Sequence, residues 1–168
     1  MRMAGPSFDE WATARVPALL RFGYLVTGST DAAEDAVQTA LAQALASWDR
    51  VGGAGDPERY VRRMVANAHV SGWRAFGRRV SPVAEVRDGA DVGHDHVESL
   101  VRHDAVWRVC RALPERQRAA VVLRFYEDLD YPEIAATLGC AEATVRSQVH
   151  RALAALRVEL ERQEADDA

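Results

Sequence analysis

The chain has 168 residues, 48% of them apolar, and a formal net charge of -4, a length that holds one ordinary domain or two small ones, each near the size at which a single core becomes marginal. No run approaches the ~18 uninterrupted apolar residues that span a bilayer, and the N-terminus lacks a charged-then-apolar leader pattern, so a cytoplasmic protein without membrane insertion is expected. Cys110 and Cys140 form no C-x-x-C pair and neither stands beside a histidine at ligand spacing, so both read as small buried hydrophobes in a reducing compartment.

The helical elements begin with a short stretch, Phe8 to Ala14, followed by a second in which Val16, Leu19, Leu20, Tyr24 and Val26 mark the apolar side and the turn signal Gly28-Ser29 marks the end. In the next helix Ala33, Val37, Ala40, Leu41, Ala44, Leu45 and Trp48 recur at 3.6-residue spacing, and Asp31 with Glu34 resembles a capping box. Its other face carries Glu34, Asp35, Gln38 and Thr39. Gly52-Gly53-Ala54-Gly55 then makes a loop, and Asp56-Pro57 supplies an N-cap and first-turn proline for a helix that buries Val61, Met64, Val65 and Ala68. Opposite those fall Arg59, Arg63, Asn67 and Arg74, with Arg62, His69 and Trp73 at the border.

Charge is segregated along the chain, which matters more than its average. Between Asp56 and Arg79 six arginines face two carboxylates, a local +4; from Ser81 to Trp107 six carboxylates face two arginines, a local -4. The segment from Val80 to about Val97 has Pro82, Gly89, Gly93 and no apolar period, so it reads as a flexible acidic linker. Helical periodicity resumes with Leu100, Val101, Trp107, Cys110 and Leu113, and Pro114 opens a helix holding Val121, Val122, Phe125 and Tyr126. With no strand-like alternation, the expected fold class is all-α: two small helical domains joined by that linker.

The segment from Asp130 to about Leu160 reads as a helix-turn-helix. Asp130 caps a short helix with Pro132 in its first turn, and Ile134 and Leu138 face the core. Ala135 sits where two helices cross, Gly139 four residues on supplies the positive φ of a tight turn, and Val145 plugs the second helix onto the first. Val149, Ala152, Leu153 and Leu156 continue its apolar stripe. Outside that stripe lie Thr144, Arg146, Ser147, Gln148, His150 and Arg151, the side-chain types that reach base edges and phosphates from the major groove. A solvated face of an ordinary helical bundle is the other reading; the turn chemistry favours DNA. For the arginine helix two readings stay open: a surface for an unpairing strand, with arginines on phosphates and rings for bases, or a solubilising face beside a core Trp73.

A resemblance then bears on the choice. Leu19-Leu20-Arg-Phe-Gly-Tyr-Leu-Val-Thr-Gly28, Ala33-Glu34-Asp35-Ala-Val-Gln38, Trp48-Asp-Arg-Val51, Asp56 to Asn67, and Leu113-Pro114 to Asp128, taken in order, resemble the extracytoplasmic-function sigma factors of the sigma-70 family in their actinobacterial form. That resemblance implies sigma region 2 over residues 1–80, a linker over 81–98, region 4 over 99–162 and an acidic tail over 163–168. It implies that Glu34, Asp35 and Gln38 dock on the β′ clamp helices of core RNA polymerase. Arg59, Arg62, Arg63, Asn67, His69, Trp73 and Arg74 would recognise and melt the -10 element, with the Gly52 to Gly55 loop near a flipped base. Thr144, Arg146, Ser147, Gln148, His150 and Arg151 would read the -35 element in the major groove.

Further partners implied are the β flap, double-stranded promoter DNA with its melted -10 strand, and an anti-sigma factor. Ser71 and Gly72 depart from the acidic and bulkier residues common in the family, and Gln148 stands where a basic residue is frequent. Rival readings are a sigma-like adaptor that captures an anti-sigma factor without touching DNA, and a conventional dimeric helix-turn-helix regulator. The first predicts decay of the basic face, yet Arg62, Arg63, Arg74 and Arg146 are present; the second needs a dimer interface or ligand pocket that the sequence does not display. No catalytic residue, metal site or cofactor is expected: Asp91, Asp95, Glu98, His94, His96 and His103 are scattered in or beside the linker.

Overall fold

The computed structural model describes residues 5–79 and 105–168, and every regular element among them is an α-helix. In chain order these are α1 (Phe8–Thr27), α2 (Thr30–Ala46), α3 (Trp48–Val51), α4 (Pro57–Arg79), α5 (Ala105–Ala112), α6 (Glu115–Phe125), α7 (Tyr131–Leu138) and α8 (Glu142–Asp166). They fall into two compact units: α1 to α4 without Leu25–Gly28 belong to the first, and α5 to α8 to the second, with which Leu25–Gly28 cluster. The expected linker, with Leu100 and Val101, lies outside the described residues, as does the Trp107 side chain.

In the first unit the two stretches expected before Gly28 form one helix, α1, which runs unbroken through Pro17. Its start is set by a box that periodicity alone did not disclose. The Ser7 backbone N–H donates to Glu10 Oε2 (3.0 Å) and the Glu10 N–H donates to Ser7 Oγ (3.3 Å). The backbone bond from Ser7 foremost, then its hydroxyl, holds the Glu10 carboxyl below its usual range. Phe8 and Trp11 meet Trp48 with ring centroids 5.4 and 5.1 Å apart, and the Trp48 indole donates to the Pro6 carbonyl (3.3 Å). Trp48 therefore does not extend the apolar stripe of α2, as its spacing suggested. The Ser47 hydroxyl donates to the Gln43 carbonyl (2.9 Å), α2 stops at Ala46, and Trp48 opens the single turn α3.

The cap of α2 is also not the expected Asp31. Ser29, in extended conformation, accepts from the Ala32 N–H, which places Asp31 in the first turn. Ala33, Ala36, Val37, Ala40 and Ala44 are buried, whereas Leu45 is 56% exposed and lies off the packed face. Small residues let the helices close up: a methyl added to Gly23 of α1 would lie only 3.3 Å from Ala33 Cβ and Val37 Cγ2. On α4, whose start is capped by Asp56 Oδ1 accepting from the Arg59 N–H (3.0 Å), Val61, Val65, Ala66 and Val70 are buried, while Met64 and Ala68 are only half-buried. Burial thus wraps further toward the arginines than the apolar stripe suggested.

In the second unit α8 packs against α5, α6 and α7, around Leu123, Leu129, Ile134 and Val145, all fully buried. Arg118 is buried too, and its Nη1 donates to the carbonyls of Arg111 (3.0 Å) and Leu113 (3.2 Å), which ties the turn between α5 and α6. Phe125 and Tyr126, two of the four apolar residues noted for the helix after Pro114, are 62% and 56% exposed, and Leu153 of α8 is 41% exposed. Cys110 is buried and Cys140 only half-buried; both are free thiols. Helix α8 continues to Asp166, into the segment expected as a tail.

The start of α7 is more fully capped than Asp130 alone would make it. Asp130 Oδ1 accepts from the Glu133 N–H (2.8 Å), and Glu133 Oε2 accepts from the Asp130 N–H (3.0 Å). Asp130→Ala is expected to cost about 1 kcal/mol of stability, read as a lowered thermal unfolding midpoint. An unchanged midpoint would show that the cap contributes nothing.

Candidate nucleic-acid interface

The helix-turn-helix is built as its sequence spacing requires. Gly139 closes α7 in the left-handed region (φ 64, ψ 43), and the N–H groups of Gly139 and Cys140 both donate to the Ala135 carbonyl (2.8 and 3.1 Å). Ala135 is buried at the crossing and Val145 is fully buried. With Val149, Ala152 and Leu156 also buried, the opposite face of α8 points outward. Thr144, Arg146, Ser147, His150 and Arg151 are exposed, and Gln148 is half-buried. The six residues expected to read DNA thus share one helix, and five of them are open to a partner.

Arg146 is exposed but not unattended. One of its Nη atoms lies 3.7 Å from Glu142 Oε2, a loose ion pair one turn back, and its guanidinium lies 5.2 Å from the centre of the Tyr131 ring. Arg124 approaches the same ring at 5.3 Å and donates to the Leu129 carbonyl (3.0 Å). Neither Arg124 nor Tyr131 stood out in the sequence, because each lies on a different helix from Arg146. The one available signal was an aromatic at the first helical position next to a cap.

On α4 the residues expected to meet the -10 element are less uniform than a helical wheel suggests. Asn67 is exposed; Arg59, Arg62, Arg63, His69 and Trp73 are half-buried. The Arg74 side chain lies outside the described residues. Arg62 donates to Glu58 at 2.8 Å, and Arg15 of α1 reaches the other Glu58 oxygen at 3.3 Å. Glu58 therefore partly offsets the charge of this face. The rings of His69 and Trp73 meet edge to face, 4.6 Å apart.

On α2, Asp35 and Gln38 are exposed and Glu34 is half-buried. Asp35 is not segregated from the α4 residues. Together with Ala32, Ala36, Thr39, Ala68 and Gly72 it lines an open cleft of about 220 Å3 whose other polar walls are His69 and Trp73. Two surfaces expected to serve different partners are contiguous here, because small residues on α2 and α4 let the helices approach. Among the described residues no cluster of histidine, cysteine and carboxylate groups could hold a metal ion, and no helix is long and apolar enough to cross a membrane.

Two helical units, one carrying an outward reading helix behind a left-handed glycine turn and the other an arginine-bearing helix against an acidic one, describe a helical transcription factor. Residues 11–79 match the family model of sigma-70 region 2, and residues 103–156 match that of sigma-70 region 4. The RNA polymerase sigma-E factor of Streptomyces avermitilis is 34% identical over 161 residues, covering 95% of this chain and 88% of its own. The ECF RNA polymerase sigma factor SigE of Mycolicibacterium smegmatis is 31% identical, over 98% of this chain and 66% of its own. Among solved structures, the sigma factor RpoE of Bartonella quintana, in complex with the anti-sigma factor NepR, superposes with a TM-score of 0.57 at 25% identity, over 92% of this chain and 96% of its own.

The chain belongs to the sigma-70 family of RNA polymerase sigma factors, in the extracytoplasmic-function group. As such it binds core RNA polymerase and directs it to promoter DNA, initiating transcription. The family is one of transcription-initiation factors and not a known enzyme family.

Proposed function

We propose that α8 reads the -35 element in the major groove through Thr144, Arg146, Ser147, Gln148, His150 and Arg151. The observation that carries this is the geometry of the turn: Gly139 in the left-handed region seats Val145 in the core and leaves the polar face of α8 exposed. Arginine supplies a donor fork for guanine, glutamine a donor and acceptor for adenine, and the hydroxyls reach either base edges or phosphates. On α4, Arg59, Arg62, Arg63 and Arg74 hold phosphates of the -10 element while Asn67, His69 and Trp73 meet the strand as it unpairs. Glu34, Asp35 and Gln38 dock on the β′ clamp helices of core polymerase, and the second unit meets the β flap.

On this reading residues 1–80 are region 2, 81–98 the linker, 99–162 region 4 and 163–168 a tail. The protein works in the cytoplasm, carries out no catalysis of its own, and is held inactive by an anti-sigma factor, as its Bartonella quintana relative is seen bound to one. Two modest contact surfaces on a chain of net charge -4 make free binding weak, since counterion release scales with the phosphates neutralised. Attachment to polymerase makes the second DNA contact effectively intramolecular. Purified protein added to core enzyme on genomic DNA is therefore expected to yield transcripts from a discrete promoter set. No transcript above core alone would overturn the reading. A gel shift of the free protein is expected to show little specific binding, and tight specific binding would favour a conventional regulator instead.

A further inference from the structure

Arg146 reaches its exposed position with two neighbours competing for its guanidinium, and they differ in what they leave free. Glu142, 3.7 Å away, can hold it only by occupying N–H donors that a guanine edge also needs, and an exposed pair of this kind is weak. The Tyr131 ring, 5.2 Å from the guanidinium, attracts the cation through its π face and takes up no N–H. A ring-held arginine keeps its donor fork available and has less rotamer freedom left to lose on binding.

The ring is itself well placed to act as a support. Tyr131 is the first residue of α7, inside the Asp130–Glu133 capping box, so its backbone is held from both sides. Arg124 lies 5.3 Å from the same ring and is tethered to the Leu129 carbonyl at 3.0 Å. A chain of contacts thus runs from the turn before α7, through Arg124 and Tyr131, to Arg146 on α8. Asp130 and Glu133, which flank Tyr131, are engaged with each other's backbone N–H, and Glu142 lies one turn before Arg146.

We propose that Tyr131 is a positioning residue for promoter recognition: its ring, braced by Arg124, presents the Arg146 guanidinium to the base edges with its hydrogen-bond donors unspent. This rests on Arg146 reading the -35 element. The test uses holoenzyme reconstituted from core polymerase and the full chain, with transcription measured across a library of -35 sequences. The variants are Y131F, Y131L, R146A and the double Y131L/R146A. Y131F, which keeps the ring, is expected to stay within about twofold of the native protein. Y131L is expected to lose about two- to fivefold on the preferred sequence and to flatten preference at the same base pair as R146A. The double variant is expected to fall no further than R146A alone.

If the two losses multiply in the double variant, if Y131F falls as far as Y131L, or if Y131L weakens all sequences equally, the proposal is overturned and Tyr131 is structural only. If R146A alters preference and Y131L does not, the proposal fails while the -35 reading stands. If R146A leaves preference unchanged, the reading fails and the proposal with it. Thermal unfolding of each variant accompanies the assay, and Y131Q, a good helix former without a ring, replaces Y131L should that protein unfold early. Y131Q is held to the same outcomes.

Discussion

Alanine at Arg146 is expected to reduce transcription from the preferred -35 sequence about tenfold or more, with little change in the unfolding midpoint. A bidentate arginine contact to guanine discriminates by about 1–3 kcal/mol, which spans roughly five- to 150-fold. The side chain is 64% exposed and its ion pair, to a Glu142 side chain 48% exposed, is long at 3.7 Å; such a pair contributes little to stability. Function and folding are therefore separable at this position. The check is promoter-selective transcription by reconstituted holoenzyme alongside thermal unfolding. Arg151→Ala is a useful companion: if it holds a phosphate, it weakens all sequences nearly alike and makes binding less salt-dependent. A variant R146A that transcribes every -35 sequence as the native protein does would show that α8 meets DNA through other residues.

Valine at Gly139 is expected to lose both stability and promoter recognition. The backbone there is at φ 64, ψ 43, a region that costs an L-residue about 1–2 kcal/mol and a β-branched one more. Gly139 is exposed, so the penalty comes from the backbone and not from a clash in the core. For a unit of this size, each kcal/mol lowers the unfolding midpoint by about 4–8 °C. Relief of the strain would also swing α7 against α8, since the N–H groups of Gly139 and Cys140 both depend on the Ala135 carbonyl. Asparagine tolerates the left-handed region better than most residues and is expected to retain most of the midpoint. Equal losses for G139N and G139V would point to a role for the missing side chain itself.

Local constraints account for what was legible. The cap at Asp130, the spacing of Ala135, Gly139 and Val145, the turn at Gly28 and the Asp56-Pro57 start each involve residues within about one or two helical turns. Each is realised in the structure with the expected geometry. Apolar periodicity was a weaker guide, because it marks which face of a helix is oily without saying whether anything covers it. Leu45, Phe125, Tyr126 and Leu153 continue apolar stripes and yet are exposed, whereas Ala66 and Val70 are buried on the side of α4 nearer its arginines. Local side-chain bonding also redrew two boundaries. Ser29 took the cap expected of Asp31, and the Ser47 hydroxyl bonded back to Gln43 as α2 ended ahead of Trp48.

The all-α class, the helix-turn-helix and the family were legible before any packing was known, since these rest on spacing along one chain and on motifs in a set order. That Asp35 shares a cleft with His69 and Trp73, and that Arg124 and Arg146 meet on the ring of Tyr131, emerged from the packing of helices alone. Those juxtapositions depend on how closely two helices pack, which is set by the small residues between them. The packing places groups side by side on different helices, and no periodicity within one helix records that.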